Sequence, residues 1–528
     1  MSDQPVEKDT AARRAGGLLA STLVVSSMTM LSRVMGLVRD MVLARLLGAS
    51  AGPGADAFFV ALKIPNLLRR LFAEGAFNQA FVPVLSEYRT KGNLAATKLL
   101  VDRVAGTLGG TLVLVTLVGV LASPWVVWVF APGFGDDPDK RALTVEMLRL
   151  TFPYLLFISL TAFAGGILNS WNRFAVPAFT PVLLNLSLIA SALFLAPYFA
   201  EGRAAVALAW GVLIAGIVQL LFQLPFLARL QLMPVPRWGW HDPGVRKVMT
   251  LMVPALFGAS VYQLNSLINT VLASLLETGS VTWLYYTDRL IELPMGVFAV
   301  AIGTVILPSL SREHANASPE AFARTLNWAV RMVLLVGVPA ALALAVLAEP
   351  LLSTLFNYGA FTDHDVLRTA ESLRAYSGGL LAAMLIKVLA PGFYSRQDTR
   401  SPVKIGVIAM VANMVFAALL VWEWRHVGLA TAMALSAWLN AGLLFIGLRR
   451  QGVFPLLPGW LPFLLRLALA SAAMTLLCGW LAMQTDAWFA GGAWERVKWL
   501  SALVLAGLGS YALVLVASGL RVRHLRRS

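Results

Sequence analysis

The sequence predicts an all-α polytopic membrane protein, and three observations support this fold class. Of the 528 residues, 58% are hydrophobic, which is enough for roughly fifteen spans of ~20 apolar residues. Charged residues make up 13%, about half of the ~25% that is usual in a soluble domain. The mean hydropathy is +0.74. The composition therefore excludes a soluble, a fibrous and a disordered protein.

Apolar segments separated by proline, glycine or charge clusters predict 14 transmembrane helices. Several segments exceed ~25 residues, so we expect them to tilt, bend or extend beyond the bilayer. The segments are 21–48, 55–87, 97–131, 143–170, 176–199, 203–229, 244–276, 280–310, 322–348, 364–394, 402–422, 426–449, 461–484 and 494–519.

The distribution of positive charge predicts the orientation. Lysines and arginines counted in alternate loops number 21 on one side and 4 on the other (Lys140, Arg141, Arg203 and Arg425), which marks the first side, and both termini, as cytoplasmic. The net charge of +15 is therefore interpreted mainly as loop charge, and no nucleic-acid partner is predicted. The single cysteine, Cys478, permits neither an internal disulfide nor a cysteine-ligated metal site. The N-terminal residues show no signal-peptide pattern.

The chain resembles itself at an offset of 225 residues, which predicts a parallel repeat of spans 1–6 in spans 7–12. The alternative is that these alignments arise without a repeat, because proline and arginine recur at helix ends in any membrane protein. In transporters with such repeats, substrate sites lie between the halves near the bilayer midplane. The anchors are Pro83 and Pro308, Arg149 and Arg374, and Pro177 and Pro402.

The spans and the repeat together predict six segments. They are an N-terminal tail (1–20), a first six-helix lobe (21–229), a linker (230–243), a second six-helix lobe (244–449), two additional spans (450–519) and a basic tail (520–528). The tails and the linker are predicted to be cytoplasmic.

Ionisable residues concentrate in the first, second and eighth spans. Each costs ~2.5–3.5 kcal/mol on insertion scales, so such residues indicate a functional, hydrated interior. At ~1.5 Å per residue, Arg33, Arg70 and Arg289 lie ~14–22 Å from the start of their spans, inside a ~30 Å core. The repeat offset also aligns Lys63 with Asp288. The candidates are Arg33, Arg39, Asp40, Asp56, Lys63, Arg70, Glu74, Asp288, Arg289 and Glu292. Pro65 is expected to interrupt the second span.

Several arginines inside the membrane favour an anionic substrate, because the guanidinium group binds phosphate or carboxylate through two parallel hydrogen bonds. A diphosphate headgroup fits this pattern. The alternative is that ion pairs between neighbouring spans hold the helices together; the pairs considered are Arg33–Asp56, Arg39–Asp40 and Arg70–Glu74. The chain has no G-x-x-x-x-G-K-[ST] sequence and no soluble ATP-binding domain, which excludes a primary pump.

Four segments resemble the lipid II flippase family (MurJ, also called MviN) of the multidrug/oligosaccharidyl-lipid/polysaccharide exporter superfamily. The resemblance covers nearly the whole chain. It implies that lipid II, an undecaprenyl-diphosphate carrying a disaccharide-pentapeptide, moves from the cytoplasmic to the periplasmic leaflet by alternating access of two lobes. The segments are SSMTMLSRVMGLVRD, GADAFFVALKIPNLLRRLFAEGAFNQAFVPVLSEY, ILNSWNRFAVPAFTPVLLN and KVLAPGFYSRQDTRSPVKI.

The resemblance also assigns roles to residues. The family's cavity arginines match Arg33, Arg39, Arg70 and Arg289, and its functional carboxylates match Asp56 and Asp40. With Lys63, Glu74 and Asp288, these two carboxylates form the predicted gating or coupling set. Spans 13 and 14 would form a groove for the polyprenyl tail. The implied setting is the bacterial inner membrane, with the phospholipid bilayer and the cell-wall synthesis machinery as partners and with no cofactor or metal.

Three points stay open in the sequence. Another polyprenyl-diphosphate-linked sugar, such as O-antigen, would also suit a cationic cavity. A membrane glycosyltransferase would need catalytic carboxylates and a sizeable soluble loop, and a scaffold would leave the intramembrane charges unexplained. The energy source is either the membrane potential or a coupled cation. That cation would be a proton carried by Asp56 or Glu74, or Na⁺ held near Asn265 or Asn269.

Overall fold

The computed structural model describes residues 5–70, 77–200, 202–296, 300–316, 318–455 and 457–519. Over these ranges the regular structure is entirely helical. Long apolar runs favour helices in a membrane because a helix satisfies its backbone hydrogen bonds internally. Glu74, one of the predicted site residues, lies outside the described residues, as do the last nine residues of the basic tail.

The first half of the chain forms ten helices. They are α1 (Pro5–Leu47), α2 (Gly54–Arg69), α3 (Asn78–Lys91), α4 (Leu94–Leu121), α5 (Ser123–Phe130), α6 (Pro138–Thr151), α7 (Tyr154–Ser170), α8 (Ala175–Ala190), α9 (Ala204–Arg229) and α10 (Pro243–Ser274).

The second half forms nine helices within the described ranges. They are α11 (Ser280–Pro294), α12 (Val300–Ala315), α13 (Pro319–Val346), α14 (Ala348–Phe356), α15 (Asp363–Tyr394), α16 (Arg400–Arg450), α17 (Trp460–Ala482), α18 (Ala487–Ala490) and α19 (Ala493–Ala517).

Each predicted span coincides with a helix, a pair of helices or part of one long helix. Spans 11 and 12 both lie in α16, whose backbone departs from helical geometry at Arg425 (φ 49°, ψ −129°). In the part of the chain that the structure describes, nine helical segments are long and apolar enough to cross a membrane. The chain is thus a multi-pass membrane protein, while the total of fourteen spans stays a prediction.

Local signals explain several helix boundaries. The Asn93 side chain accepts a hydrogen bond from the Ala96 N–H (2.8 Å) and caps α4. Asp137 caps α6 in the same way, just before Pro138. The break expected at Pro65 is wrong, because α2 continues through Pro65 to Arg69. A proline ring removes one backbone donor but does not always end a helix in a membrane.

The helices form two compact units. Unit 1 comprises Met1–Leu47 and Gly52–Gln263, and unit 2 comprises Gly48–Ala51 and Leu264–Ser528. The division falls within α10, and the predicted lobe bounds stay predictions. In unit 1, α2 packs on α6, α1 packs on α8, and α9 contacts α6, α7 and α8. In unit 2, α15 packs against α11, α13 and α16, while α17 pairs with α19.

Candidate functional site

Arg39 and Asp40 form a buried polar network with Asn185. Arg39 Nε and Nη2 donate to Asp40 Oδ1 (3.0 and 2.6 Å), and Arg39 Nη1 donates to Asn185 Oδ1 (3.0 Å). Asn185 Nδ2 in turn donates to the Ser32 carbonyl oxygen (3.0 Å). Asp40 is fully buried and Arg39 is 9% exposed. The network therefore holds the Arg39 guanidinium between α1 and α8.

Asp56 pairs with Lys140, a residue that the sequence analysis placed in a loop. Lys140 Nζ lies 3.0 Å from Asp56 Oδ2, and both side chains are at most 5% exposed. The ammonium group also lies 4.4 Å from the centre of the Phe134 ring. The loop assignment is wrong because Asp137 and Pro138 begin α6 before Lys140, and the first turn of that helix packs on α2.

Among the predicted substrate-binding residues of unit 1, Arg33 and Arg70 keep their charge uncompensated. Within the described residues, no carboxylate lies within 4 Å of either guanidinium group. Arg33 is half-buried and Arg70 is exposed. The alternative ion pair Arg33–Asp56 is therefore absent, whereas the alternative pair Arg39–Asp40 is present.

The remaining candidates divide between the units. Lys63 is half-buried on α2 in unit 1 and makes polar or charged contacts of its own. Asp288 and Arg289 lie on α11 in unit 2, and both are half-buried. Arg289 Nη1 lies 3.3 Å from Glu292 Oε2, one turn along the same helix.

A cluster of asparagines in unit 2 joins α10 to α16. Asn413 Nδ2 donates to Asn265 Oδ1 (2.7 Å) and to Asn269 Oδ1 (3.1 Å). The sequence analysis selected Asn265 and Asn269 as possible Na⁺ ligands but missed Asn413. Each of these two amide oxygens therefore uses one of its two lone pairs in a hydrogen bond to Asn413. Over the described ranges, no group of three or more His, Cys, Asp or Glu side chains could hold a metal ion.

Lys140, Asn185 and Asn413 are the functional candidates that sequence reasoning missed. Neither the repeat nor the charge count indicated that these residues belong to a site. Each one forms its hydrogen bond or ion pair with a residue more than 80 positions away in the sequence. Polar residues inside apolar spans were the only available indication for Asn185 and Asn413.

The Asn185 network makes a first prediction. We expect Asn185→Ala to lower the free energy of unfolding by about 1–3 kcal/mol, because Arg39 loses a charge-assisted acceptor and the Ser32 carbonyl loses its donor. Thermal unfolding of the detergent-purified protein measures the change. Leu186→Ala, at a 44% exposed neighbouring position, is the control and should have little effect. Equal stability of the wild type and Asn185→Ala would contradict the role assigned to this network.

The helical fold matches that of solved multi-pass transporters, one of them of the multidrug/oligosaccharidyl-lipid/polysaccharide exporter superfamily. A solved structure described as a lipid II flippase MurJ in an inward closed conformation matches with a TM-score of 0.79 at 24% identity, covering 96% of this chain and 100% of that chain. An inward-facing multidrug-resistance MATE transporter of the same superfamily matches with a TM-score of 0.65 at 15% identity, covering 82% and 98%. These likenesses confirm the predicted fold class.

Sequence comparison identifies the family. The family model described as lipid II flippase MurJ matches residues 43–497. A probable lipid II flippase MurJ of Vibrio cholerae is 50% identical over 516 residues, 96% of this chain and 98% of the relative. The lipid II flippase MurJ of Burkholderia cenocepacia is 42% identical over 97% of this chain and 99% of the relative. The chain belongs to the lipid II flippase MurJ family, as the resemblance predicted.

Proposed function

We propose that this protein is a lipid II flippase of the bacterial inner membrane, with both termini in the cytoplasm. The observation that carries the proposal is the similarity to flippases along nearly the full length, at 42–50% identity to two of the relatives. The proposed activity is transport: the headgroup of lipid II passes from the cytoplasmic to the periplasmic leaflet by alternating access. The cell-wall synthesis machinery is the proposed consumer of the product.

Uncompensated positive charge supports the proposed binding of a diphosphate. Arg33 and Arg70 have no carboxylate within 4 Å among the described residues, so neither has to break an ion pair of that kind before binding phosphate. A guanidinium binds phosphate through two directed hydrogen bonds. Arg289 would exchange its contact with Glu292 for the ligand. That contact spans one helical turn between part-exposed side chains and is worth little.

Arg39 contributes differently in this proposal. Its three short hydrogen bonds to Asp40 and Asn185 fix the side chain, so binding a phosphate costs little side-chain entropy. We therefore propose that Arg39 is a cation held in a fixed position, whereas the Arg33 and Arg70 side chains adjust their positions to the ligand.

The proposed gating or coupling set comprises Asp40, Asp56, Lys63, Glu74 and Asp288. The Asp56–Lys140 pair supports a role in which α2 and α6 move together, because separating two buried charges costs several kcal/mol. For energy coupling we favour the membrane potential, which supplies ~2.3 kcal/mol per charge per 100 mV. The alternative is a coupled cation, with Na⁺ near Asn265 or Asn269. Spans 13 and 14 are the proposed groove for the polyprenyl tail.

A leaflet-exposure assay tests the function. Cells depleted of the protein are treated with a reagent that cleaves or labels only headgroups exposed to the periplasm. We expect lipid II to accumulate and become protected, with exposure restored by the wild type but at least tenfold less by Arg70→Ala. The loss follows from removing one charge-assisted contact to the diphosphate.

The matched control is the adjacent arginine. Arg69 Nε donates to Asn66 Oδ1 (3.2 Å) on its own helix, and Arg69→Ala should restore exposure of lipid II. Full exposure of lipid II in depleted cells would overturn the proposed function. Protection of an O-antigen-type lipid in place of lipid II would instead assign that lipid as the substrate.

A further inference from the structure

A cavity of about 770 Å³ lies in unit 1 on a face of α6 that the proposed function does not use. Helices α5, α6 and α9 contribute its walls, through Pro124, Arg141, Glu146, Arg149 and Trp210. Its volume falls in the range of small-ligand sites. None of the predicted site residues that the structure describes lines it.

The cavity opens away from the proposed substrate residues because α6 presents two opposite faces. Lys140 and Thr151 are buried and contact α2, with Thr151 Oγ1 donating to the Ala61 carbonyl oxygen (2.9 Å). Arg141 and Arg149 line the cavity and are eight residues apart, so they share one side of the helix. The middle of that side is turned about 140° from Lys140, at ~100° per residue.

The two arginines in this cavity carry uncompensated charge. Within the described residues, no carboxylate lies within 4 Å of Arg141 or Arg149. Among the described residues of the wall, the acidic one is Glu146, which is already paired because Arg203 Nη2 lies 2.6 Å from Glu146 Oε2. The described charged residues of the wall, taken together with Arg203, therefore carry a net charge of two positive units.

The internal repeat provides a contrast within the same chain. Arg374, which the 225-residue offset aligns with Arg149, lies 2.6 Å from Glu349 through its Nη2 atom. Its charge is thus neutralised in unit 2. If the predicted repeat holds, Arg149 and Arg374 occupy equivalent positions, but among the described residues only Arg374 has a carboxylate partner. This difference points to a ligand that binds Arg149.

The surroundings place the cavity at the level of the lipid headgroups. Trp125 and Trp128 on α5 are 73% and 58% exposed, and Trp210 in the cavity wall is 40% exposed. Exposed tryptophans mark the membrane–water interface. Side chains on a helix lean toward its N-terminus, so the Arg141 and Arg149 side chains both lean toward the interfacial end of α6.

We propose that this cavity binds the phosphodiester group of an anionic phospholipid. Arg141 and Arg149 donate charge-assisted hydrogen bonds to the phosphate oxygens, and Trp210 packs along the glycerol and the upper part of an acyl chain. The site is a structural lipid site on unit 1, distinct from the residues proposed to bind lipid II.

Lipid retention by the purified full-length protein tests the proposal. The protein is reconstituted in nanodiscs of phosphatidylglycerol and phosphatidylcholine, extracted, and the lipids that stay bound are quantified by native mass spectrometry. We expect preferential retention of phosphatidylglycerol by the wild type. Replacing Arg141 or Arg149 by Gln should each weaken this retention on the order of tenfold, because each removes a charge-assisted hydrogen bond.

Two variants and two competitors sharpen the test. Arg374→Gln, at the paired arginine of unit 2, should retain phosphatidylglycerol like the wild type, and Arg149→Lys should retain part of it. Equal retention of both lipids by the wild type, or unchanged preference in the Arg141→Gln/Arg149→Gln double variant, would overturn the proposal. Displacement of phosphatidylglycerol by inorganic phosphate or by a polyprenyl phosphate at equimolar concentration would also overturn it, because the site would then belong to that ligand.

Discussion

Lys140→Met is expected to destabilise the protein by about 3–5 kcal/mol and to abolish complementation of a depleted strain. Lys140 and Asp56 form an ion pair whose side chains are only 5% and 2% exposed. Removing the ammonium group leaves the Asp56 carboxylate buried without this counter-charge, and that loss accounts for the large penalty. Thermal unfolding in detergent measures the stability, and growth after depletion measures the function.

The double variant Asp56→Asn/Lys140→Met separates the structural role of the pair from its role in transport. With both charges removed, the burial penalty disappears, so stability should return to within about 1–2 kcal/mol of the wild type. Translocation should stay lost, since the resemblance makes Asp56 a functional carboxylate. A double variant that is stable and fully active would contradict the proposed role of Asp56.

An exposed ion pair provides the control for Lys140. Lys91 Nζ lies 3.2 Å from Glu87 Oε1, and the Lys91 side chain is 76% exposed. Lys91→Met should change stability by less than about 1 kcal/mol, because solvent screens exposed pairs. A penalty for Lys140→Met as small as that for Lys91→Met would show that the buried pair does not hold α6 on α2.

Asp365→Ala is the second change with a large expected effect, a loss of at least about 3 kcal/mol of stability. The fully buried carboxylate accepts hydrogen bonds from Ser50 Oγ (2.6 Å), Ser50 N (3.1 Å), Ala49 N (3.3 Å) and Trp283 Nε1 (3.1 Å). It also accepts from the Thr362 N–H in the capping box that begins α15. Truncation leaves these donors without an acceptor, at about 1–3 kcal/mol for each that stays buried.

The neighbouring backbone makes rearrangement around Asp365 difficult. Gly48 adopts φ +63°, and a Cβ atom there would collide with the Ala360 carbonyl oxygen. The loop 48–51 therefore has little room to move its N–H groups toward other acceptors. Asp365→Asn, which keeps one acceptor oxygen, should show an intermediate loss in the same thermal unfolding measurement.

Asp363 is the matched control for Asp365 because it lies two residues earlier in the same helix. It is exposed, and its carboxylate accepts one hydrogen bond from Asn357 Nδ2 (2.7 Å). Asp363→Ala should cost less than about 1 kcal/mol, since water replaces the lost partner. Similar losses for the two alanine variants would argue against Asp365 as the anchor of the 48–51 loop.

The positions of the helices follow closely from local composition. Apolar length together with proline, glycine and charge clusters predicted segments that the structure finds as helices. For example, α15 begins at Asp363 and α17 at Trp460, each one residue before the start of its predicted span. Hydropathy did not predict the internal boundaries. The third predicted span, 97–131, coincides with both α4 and α5.

The charged residues were found from the sequence, but their partners were only partly found. Arg39 and Asp40 are adjacent in the chain, so their pairing was available as an alternative from the sequence alone. Lys140 was counted with the loop charges because it follows an acidic, proline-containing turn. Its burial depends on the packing of α6 against α2, 84 residues away in sequence, which no local pattern encodes.

The sequence by itself determined that this chain is a multi-pass helical membrane protein of the lipid II flippase family, because hydrophobic length and family motifs are properties of contiguous residues. It also selected the intramembrane arginines, since charge in an apolar span is costly wherever the span lies. Only the tertiary structure decided which of those charges are compensated. Ion pairing falls off within a few ångströms, so the partner of Asp56, the fixing of Arg39 by Asn185 and the free charge of Arg149 depend on how the helices pack.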